Sequence, residues 1–183
     1  LLAAAVALLG QWVDRLLAGK AAPAVQLDVL EAGEASKQRA ILTKLRRYAN
    51  AKPKGDMVAK FSESLEGGDR AEGEAIFRSG QCLQCHTIGG MGGAVGPDLS
   101  HVASRLARRD LLESVVNPNA KIVEGYGTIS VTTKDGDTVT GTLQKETPDG
   151  LTLKSDDGEI MTIKAADVQW RTKASSAMPA SAL

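Results

Sequence analysis

The spacing of apolar and polar positions divides the chain into a helical beginning, a loop-rich middle and a strand-rich end. Leu1, Leu2, Val6, Leu8, Leu9, Trp12, Val13, Leu16 and Leu17 give an apolar surface wide enough for a mostly buried helix. Pro23 interrupts it, and a short segment over 25–30 follows, ending near Gly33. Ile41, Leu42, Leu45 and Tyr48 then recur at helical spacing, and Val58, Phe61 and Leu65 predict another short helix before Gly67-Gly68. Asp69, with Glu72 three residues on, reads as the cap of a further helix. That helix carries Gly73 in its interior, at a cost of about 1 kcal/mol against Ala. Ile76 and Phe77 are expected to face either the core or the edge of a bound cofactor. Residues 99–105 and 110–116 read as two short helices, the second stopped by Asn117-Pro118.

Beyond residue 127 the period changes. Residues 128–133, 138–143, 151–154 and 160–163 are β-prone runs, separated by Lys134-Asp135-Gly136-Asp137, Pro148-Asp149-Gly150 and Asp156-Asp157-Gly158. Asp-Gly at each junction is hairpin chemistry, because glycine accepts the positive φ of such turns. Val168-Gln169-Trp170 predicts a fifth strand. The aspartates fit no EF-hand spacing, so turns are favoured over calcium ligation. The fold class expected is mainly α: a helical segment over 1–66, then a domain over 67–183 with an inserted small antiparallel β-sheet or barrel at about 126–170. Two or three helices with short connections at the start would suit the end of a helical-repeat region.

Composition sets bounds on this picture. A chain of 183 residues is one domain or two small ones, and 43% apolar residues suits a globular protein. The charges balance at 22 basic and 22 acidic residues, which argues against a nucleic-acid binder. Aromatics make up only 3%, leaving room for a large cofactor to supply hydrophobic bulk. From Lys37 to Lys54 there are seven Lys or Arg and no Asp or Glu. This run reads either as a docking patch for an acidic partner or as a solvated helix face with a basic linker around Pro53-Lys54-Gly55; the second is favoured. The apolar run 1–9 is too short to span a bilayer, so no transmembrane segment is expected. No charged n-region or cleavage site frames it. The chain, which begins at Leu, is expected to be a piece of a longer exported protein whose signal has been cut away.

The chemistry concentrates in Cys82-Leu83-Gln84-Cys85-His86. C-x-x-C-H is the attachment signature of c-type haem. Two intervening residues let both sulfurs reach the vinyl groups of one rigid macrocycle, and His86 then offers an axial nitrogen to iron. Cys82 and Cys85 are the only cysteines among the residues. A disulfide or thioredoxin-like pair would need only C-x-x-C and belongs near a βαβ pattern, which is not visible. A zinc site from Cys82, Cys85, His86 and His101 has enough ligands, but adjacent Cys85 and His86 are awkward for closing a tetrahedron. One covalent haem c is the expected cofactor. Leu99, Leu106, Leu112 and Val116 are candidates for the haem wall.

Gly73, Ile76-Phe77, C-x-x-C-H and Gly96-Pro97-Asp98-Leu99 together resemble a class I cytochrome c. Gly67-Gly68-Asp69, Leu112-Glu113-Ser114-Val115-Val116-Asn117-Pro118, Gly125-Tyr126 and Ser176-Ala177-Met178-Pro179 narrow the resemblance. They point to a haem-binding domain found at the end of large exported bacterial dehydrogenase-like proteins. The resemblance covers about residues 60–183 and implies several roles. The Pro97 carbonyl accepts a hydrogen bond from the second ring nitrogen of His86, and Gly73 lets another helix cross at close range. Met178, followed by Pro179 as the family's distal methionine is, supplies the sixth ligand; His101, Met57, Met91 and Met161 are the other candidates. Gly89-Gly90-Met91-Gly92-Gly93 is expected as a flexible loop over one side of the haem. The family's crossing helix beyond the methionine is absent from the remaining 179–183, so Gly73 is expected against the N-terminal helices or a second chain, unless the chain is cut short. The function implied is electron transfer, not enzymatic catalysis, with a redox protein or dehydrogenase domain as partner, on the periplasmic or cell-surface side of a bacterium. A haem-based ligand-binding or sensor module with a displaceable distal ligand is the alternative. A peroxidase-like site would need distal acid-base groups, for which only His101 is available.

Overall fold

The structure, a computed structural model, describes residues 2–155 and 157–179. Leu1, Asp156 and the tail 180–183 lie outside the described residues, and so do the expectations that touch them. Helix accounts for 44% and strand for 21% of the structure. The sheet is therefore a larger part of the protein than the small insert expected, and the mainly-α reading holds only in part. Two compact units are formed: one from residues 1–82 and 103–112, the other from 83–102 and 113–183.

In the first unit, helices α1 (Leu2–Leu17), α2 (Pro23–Ala35) and α3 (Arg39–Ala51) pack on one another. Their core is Val13, Leu16, Ala21, Val29, Ile41 and Leu45, with Trp12, Leu30 and Tyr48 partly buried against it. The spacing of Ile41, Leu45 and Tyr48 places all three on one face of α3, as helical periodicity requires. Helix α2 is longer than expected because Gly33 does not end it. Gly33 is buried within α2, and a Cβ there would lie 2.8 Å from Leu45 Cδ1, so the missing side chain is what lets the two helices approach.

Helix α4 (Met57–Lys60), capped by Asp56, and a 3-10 turn over Ser62–Leu65 bring Glu63 inward. Glu63 is the buried charged residue of this core, at 4% exposure. Tyr48 Oη and Lys52 Nζ both donate to its carboxylate, and Lys52 Nζ also donates to the Lys60 carbonyl at 2.6 Å. Burial would raise the Glu63 carboxyl, but the hydrogen bonds from Lys52 and then Tyr48 outweigh it and hold it below its ordinary value. Burial first, then the bond to Glu63 and its charge, pushes the Tyr48 hydroxyl up.

Helix α5 (Arg70–Ser79) begins where Asp69 Oδ1 accepts the Glu72 amide at 2.9 Å, as the cap pattern requires. It buries no residue: Ile76 is 66% exposed, and among the described residues nothing lies within 4 Å of a Cβ placed on Gly73. The close helix crossing expected at Gly73 is therefore not found there. The helical turn α6 (Cys82–Cys85) and helix α7 (Arg108–Val116) complete the helices. Residues 99–105, expected as a helix, hold only a 3-10 turn at Val102–Ser104. Asp98 Oδ1 takes the Ser100 amide at 2.7 Å and the Thr87 carbonyl takes the Leu99 amide at 2.8 Å, which ties the start of this segment to Thr87 and to its own turn.

The second unit holds a two-stranded hairpin, β1 (Thr87–Ile88) with β2 (Met91–Gly92), and a six-stranded antiparallel sheet. The sheet comprises β3 (Gly127–Thr133), β4 (Thr138–Thr147), β5 (Gly150–Lys154), β6 (Ile160–Lys164), β7 (Val168–Arg171) and β8 (Ser175–Ser176). The order is β6-β5-β4-β3-β7, with β8 pairing beside β7 on β3. Among the described residues β6 and β7 remain edges, so the sheet is open, not a barrel. Ile129, Val131, Leu151, Leu153 and Ile163 form its core. On the other face Ser130 and Thr140 hydroxyls meet at 2.7 Å, an instance of the alternation a half-buried strand imposes. Gly136 (φ +90°) and Gly158 (φ +91°) occupy turns as expected. Gly150 does not: it opens β5, and a Cβ there would collide with the Ile163 carbonyl. The sheet also extends past residue 170 to β8, a strand not foreseen.

Candidate functional site

The attachment motif sits on a single helical turn prepared by the two residues before it. Helix α5 stops where the Gly80 amide reaches the Ile76 carbonyl at 2.7 Å, and a Cβ at Gly80 would be 2.7 Å from that same oxygen. Gln81 then adopts left-handed backbone, φ +65°, which turns the chain into α6. Residues three apart on a helical turn share a side, so Cys82 and Cys85 present their sulfurs together. Cys82 is half-buried and Cys85 exposed, and they form no disulfide.

His86 follows directly and is fixed by the loop that returns over the turn. Its Nδ1 lies 2.8 Å from the Pro97 carbonyl oxygen. A carbonyl only accepts, so Nδ1 carries the proton and the lone pair that a metal takes is on Nε2. Gly96 makes this geometry possible. A Cβ there would stand 2.6 Å from His86 Cε1 and 2.8 Å from Nδ1, inside the imidazole's own volume. The Gly96 amide also donates to the Cys85 carbonyl at 2.7 Å, and the Gly93 amide to the Leu83 carbonyl at 2.9 Å. The carbonyls left open at the end of the helical turn are thus satisfied by the loop.

The glycine-rich segment is not the flexible loop expected. Gly89 (φ +58°) and Gly90 (φ +78°) form the two-residue turn of the β1–β2 hairpin, positive at both positions as a type I′ turn demands. Gly92 and Gly93 follow because side chains there would collide with the carbonyls of His86 and Gln84. Thr87 Oγ1 donates to the Gly93 carbonyl at 2.7 Å, and the Gly89 amide to Ser100 Oγ at 2.9 Å. Thr87 and Ser100 are contributors that reading the sequence missed, since neither carries a signal of its own, whereas Gly92, Gly93 and Gly96 stand in segments already singled out.

The remaining candidates are placed as follows. Leu99, Leu106 and Leu112 are half-buried and Val116 is buried. Met178 is half-buried on the segment after β8, mounted on the sheet and not on the C-x-x-C-H turn. Its amide donates to Ser176 Oγ at 3.1 Å. Met91 is 50% exposed, Met57 36%, and Met161 lies in β6 opposite Leu153. His101 is exposed and makes contacts of its own. Among the described residues no three His, Cys, Asp or Glu side chains converge as a metal site.

These residues fit a haem. Two thiols share one side of a turn, the adjacent imidazole has its tautomer set, and the backbone passing the ring is glycine where only glycine fits. From Ser64 to Val115 no described residue is buried, although the stretch carries Ile76, Ile88, Met91 and Val95 at 66, 41, 50 and 69% exposure. Ile88, Met91 and Val95, all in the second unit and in the segment that follows His86, are apolar side chains whose display suits a large flat apolar group. Among the described residues no helix is long and apolar enough to cross a membrane.

Residues 70–138 match the family model for cytochrome c. The match takes in Cys82, Cys85, His86, Pro97 and Leu99 and ends short of Met178. It supports a cytochrome c haem domain, a module that carries electrons. No curated protein matches the chain.

Proposed function

We propose that the cytochrome c haem domain of this chain is an electron carrier holding one covalent haem c, with His86 and Met178 as axial ligands. The observation that carries the reading is the His86–Pro97 hydrogen bond at 2.8 Å beside two thiols on one helical turn. Haem supplies one-electron cycling between Fe(II) and Fe(III). Cys82 and Cys85 would tether the ring at two points, each thiol adding its S–H across one vinyl group with no atom lost. The Pro97 carbonyl holds the His86 proton on Nδ1 and orients Nε2, and it raises the basicity of the imidazole. Leu99 contributes to the apolar wall.

Met178 would offer the iron a soft, neutral sulfur, which would favour Fe(II) and exclude outside ligands. The family model ends before this residue, so the assignment rests on Met178-Pro179 and its resemblance to the distal methionine of exported haem-binding domains. The same resemblance supports a dehydrogenase partner, a periplasmic or cell-surface location, and α1–α3 as the end of a helical-repeat region.

Visible spectra of both oxidation states, with and without carbon monoxide, test the reading. A carrier is low-spin and resists carbon monoxide, and Met178→Ala opens the distal site while Met91→Ala and Met161→Ala do not. Identical spectra and carbon monoxide behaviour in Met178→Ala and the parent protein would remove Met178 and bring His101 forward.

A further inference from the structure

We infer that the six-stranded sheet is the mount of the axial methionine and that Asn119 is its clasp. On this view Asn119 is a positioning residue that sets how often Met178 leaves the iron. The inference rests on Met178 as the distal ligand. Its basis is a chain of contacts within one compact unit. Strand β8 is held to β3 through the pairs Gly127↔Ser176 and Thr128↔Ser175. Asn119 Oδ1 accepts the Ser176 amide at 2.8 Å, and Ser176 Oγ in turn accepts the Met178 amide at 3.1 Å. Asn119 itself sits at a tight turn, where the Ala120 amide bonds the Asn117 carbonyl at 2.9 Å and Pro118 is buried.

Gly127 explains why the segment can lie so close. A Cβ there would come within 3.1 Å of Ala174 Cβ and 3.3 Å of Ile122 Cγ2, tighter than side chains ordinarily pack. Strand β8 is only two residues long, so its ladder alone is a weak restraint, and the Asn119 bond is a large share of what fixes Ser176. A thioether carries no charge to bind it to iron. Its occupancy therefore depends on how firmly the backbone presents it, and here the presenting backbone belongs to the sheet.

The consequence is a two-state equilibrium between a seated and a lifted methionine. Losing one ordinary hydrogen bond shifts such an equilibrium by about fivefold. A competing ligand that binds only the lifted state gains apparent affinity by the same factor.

The test is carbon monoxide titration of the reduced holoprotein and its Asn119→Ala, Asn119→Asp, Asn119→Leu and Met178→Ala variants. Asn119→Ala raises the apparent affinity about fivefold. Asn119→Asp, which keeps an accepting oxygen in place, stays within about twofold of the parent, and Met178→Ala marks the fully open limit. A loss of packing alone would leave Asn119→Leu, which keeps the bulk without the accepting oxygen, near the parent, so that variant separates positioning from bulk. Parent-like affinity in Asn119→Ala beside raised affinity in Met178→Ala overturns the clasp and leaves the ligand standing. Parent-like affinity in Met178→Ala overturns the ligand assignment and the clasp with it. Should Asn119→Ala yield no holoprotein, Asn119→Leu, which keeps the bulk and removes the accepting oxygen, decides: raised affinity supports the clasp and unchanged affinity refutes it.

Discussion

Replacing Gly96 by Ala is the sharpest probe of the site's construction, because it adds one methyl group where the imidazole already lies. The new Cβ would stand 2.6 Å from His86 Cε1, 2.8 Å from Nδ1 and 3.1 Å from Nε2. Carbon pairs rest at about 3.5–4.0 Å, so either the ring tilts or the Gly96-Pro97 turn lifts, by about 1 Å. The His86–Pro97 separation of 2.8 Å then grows past hydrogen-bonding range. Overpacking of this kind costs about 1–3 kcal/mol and the lost bond about 1 kcal/mol. A total of about 2–4 kcal/mol corresponds to a fall in Tm of roughly 5–10 °C. The bond also supplies basicity to the imidazole, so its loss withdraws support from Fe(III) and the reduction potential rises. Pro97→Ala is the matched control, since it removes the ring but keeps the carbonyl and leaves the potential near the parent's. Thermal unfolding followed at the haem absorbance, with redox titration, checks both parts. A Gly96→Ala protein with parental Tm and potential would refute the view that glycine is required there.

Other perturbations follow from the same geometry. Glu63→Gln should cost about 3 kcal/mol at neutral pH, because it leaves Lys52 half-compensated in a buried setting. The Glu63 carboxyl is held below its ordinary 4.5, so its contribution is present above that value and is lost as pH falls through the lowered folded value. Urea unfolding from pH 7 to pH 3 should therefore show the difference between Glu63→Gln and parent shrinking in acid; a constant difference would contradict this. Gln81→Gly should stabilise by about 0.5–1 kcal/mol, since only glycine takes φ +65° without strain, and chemical denaturation reads the sign. Joining Glu124 to Thr172 by a short Gly-Ser linker should keep covalent haem, yet admit carbon monoxide, because β8 loses its partner β3. Loss of all bound haem would make the sheet part of the pocket.

What was legible in the sequence was local. C-x-x-C-H and Gly-Pro-Asp-Leu are short enough for their geometry to be set by neighbours, and the His86–Pro97 bond crosses only the loop between them. Most strands were readable because Ile129 and Val131, or Leu151 and Leu153, alternate with polar residues and end in turn chemistry. Strand β8 was not, since Ser175-Ser176 carries no apolar pattern and exists through backbone bonds to Gly127 and Thr128. Gly33 reads as a helix stop in one dimension and as a packing contact for Leu45 in three. Glu63 gave no sign of being core, because an isolated carboxylate belongs outside unless partners such as Lys52 and Tyr48 come from elsewhere in the fold. The expected crossing at Gly73 came from resemblance alone, and no local rule at that position required it.

The central claim is that Cys82 and Cys85 bind one haem covalently. Thioether formation adds each S–H across a vinyl group with no atom lost, so the denatured protein, matured with a haem-attachment system, should gain the mass of one whole haem. Cys82→Ala with Cys85→Ala should abolish the gain. A wild-type chain that keeps its apoprotein mass after maturation, with its haem extracted freely by acid-acetone, would contradict the account.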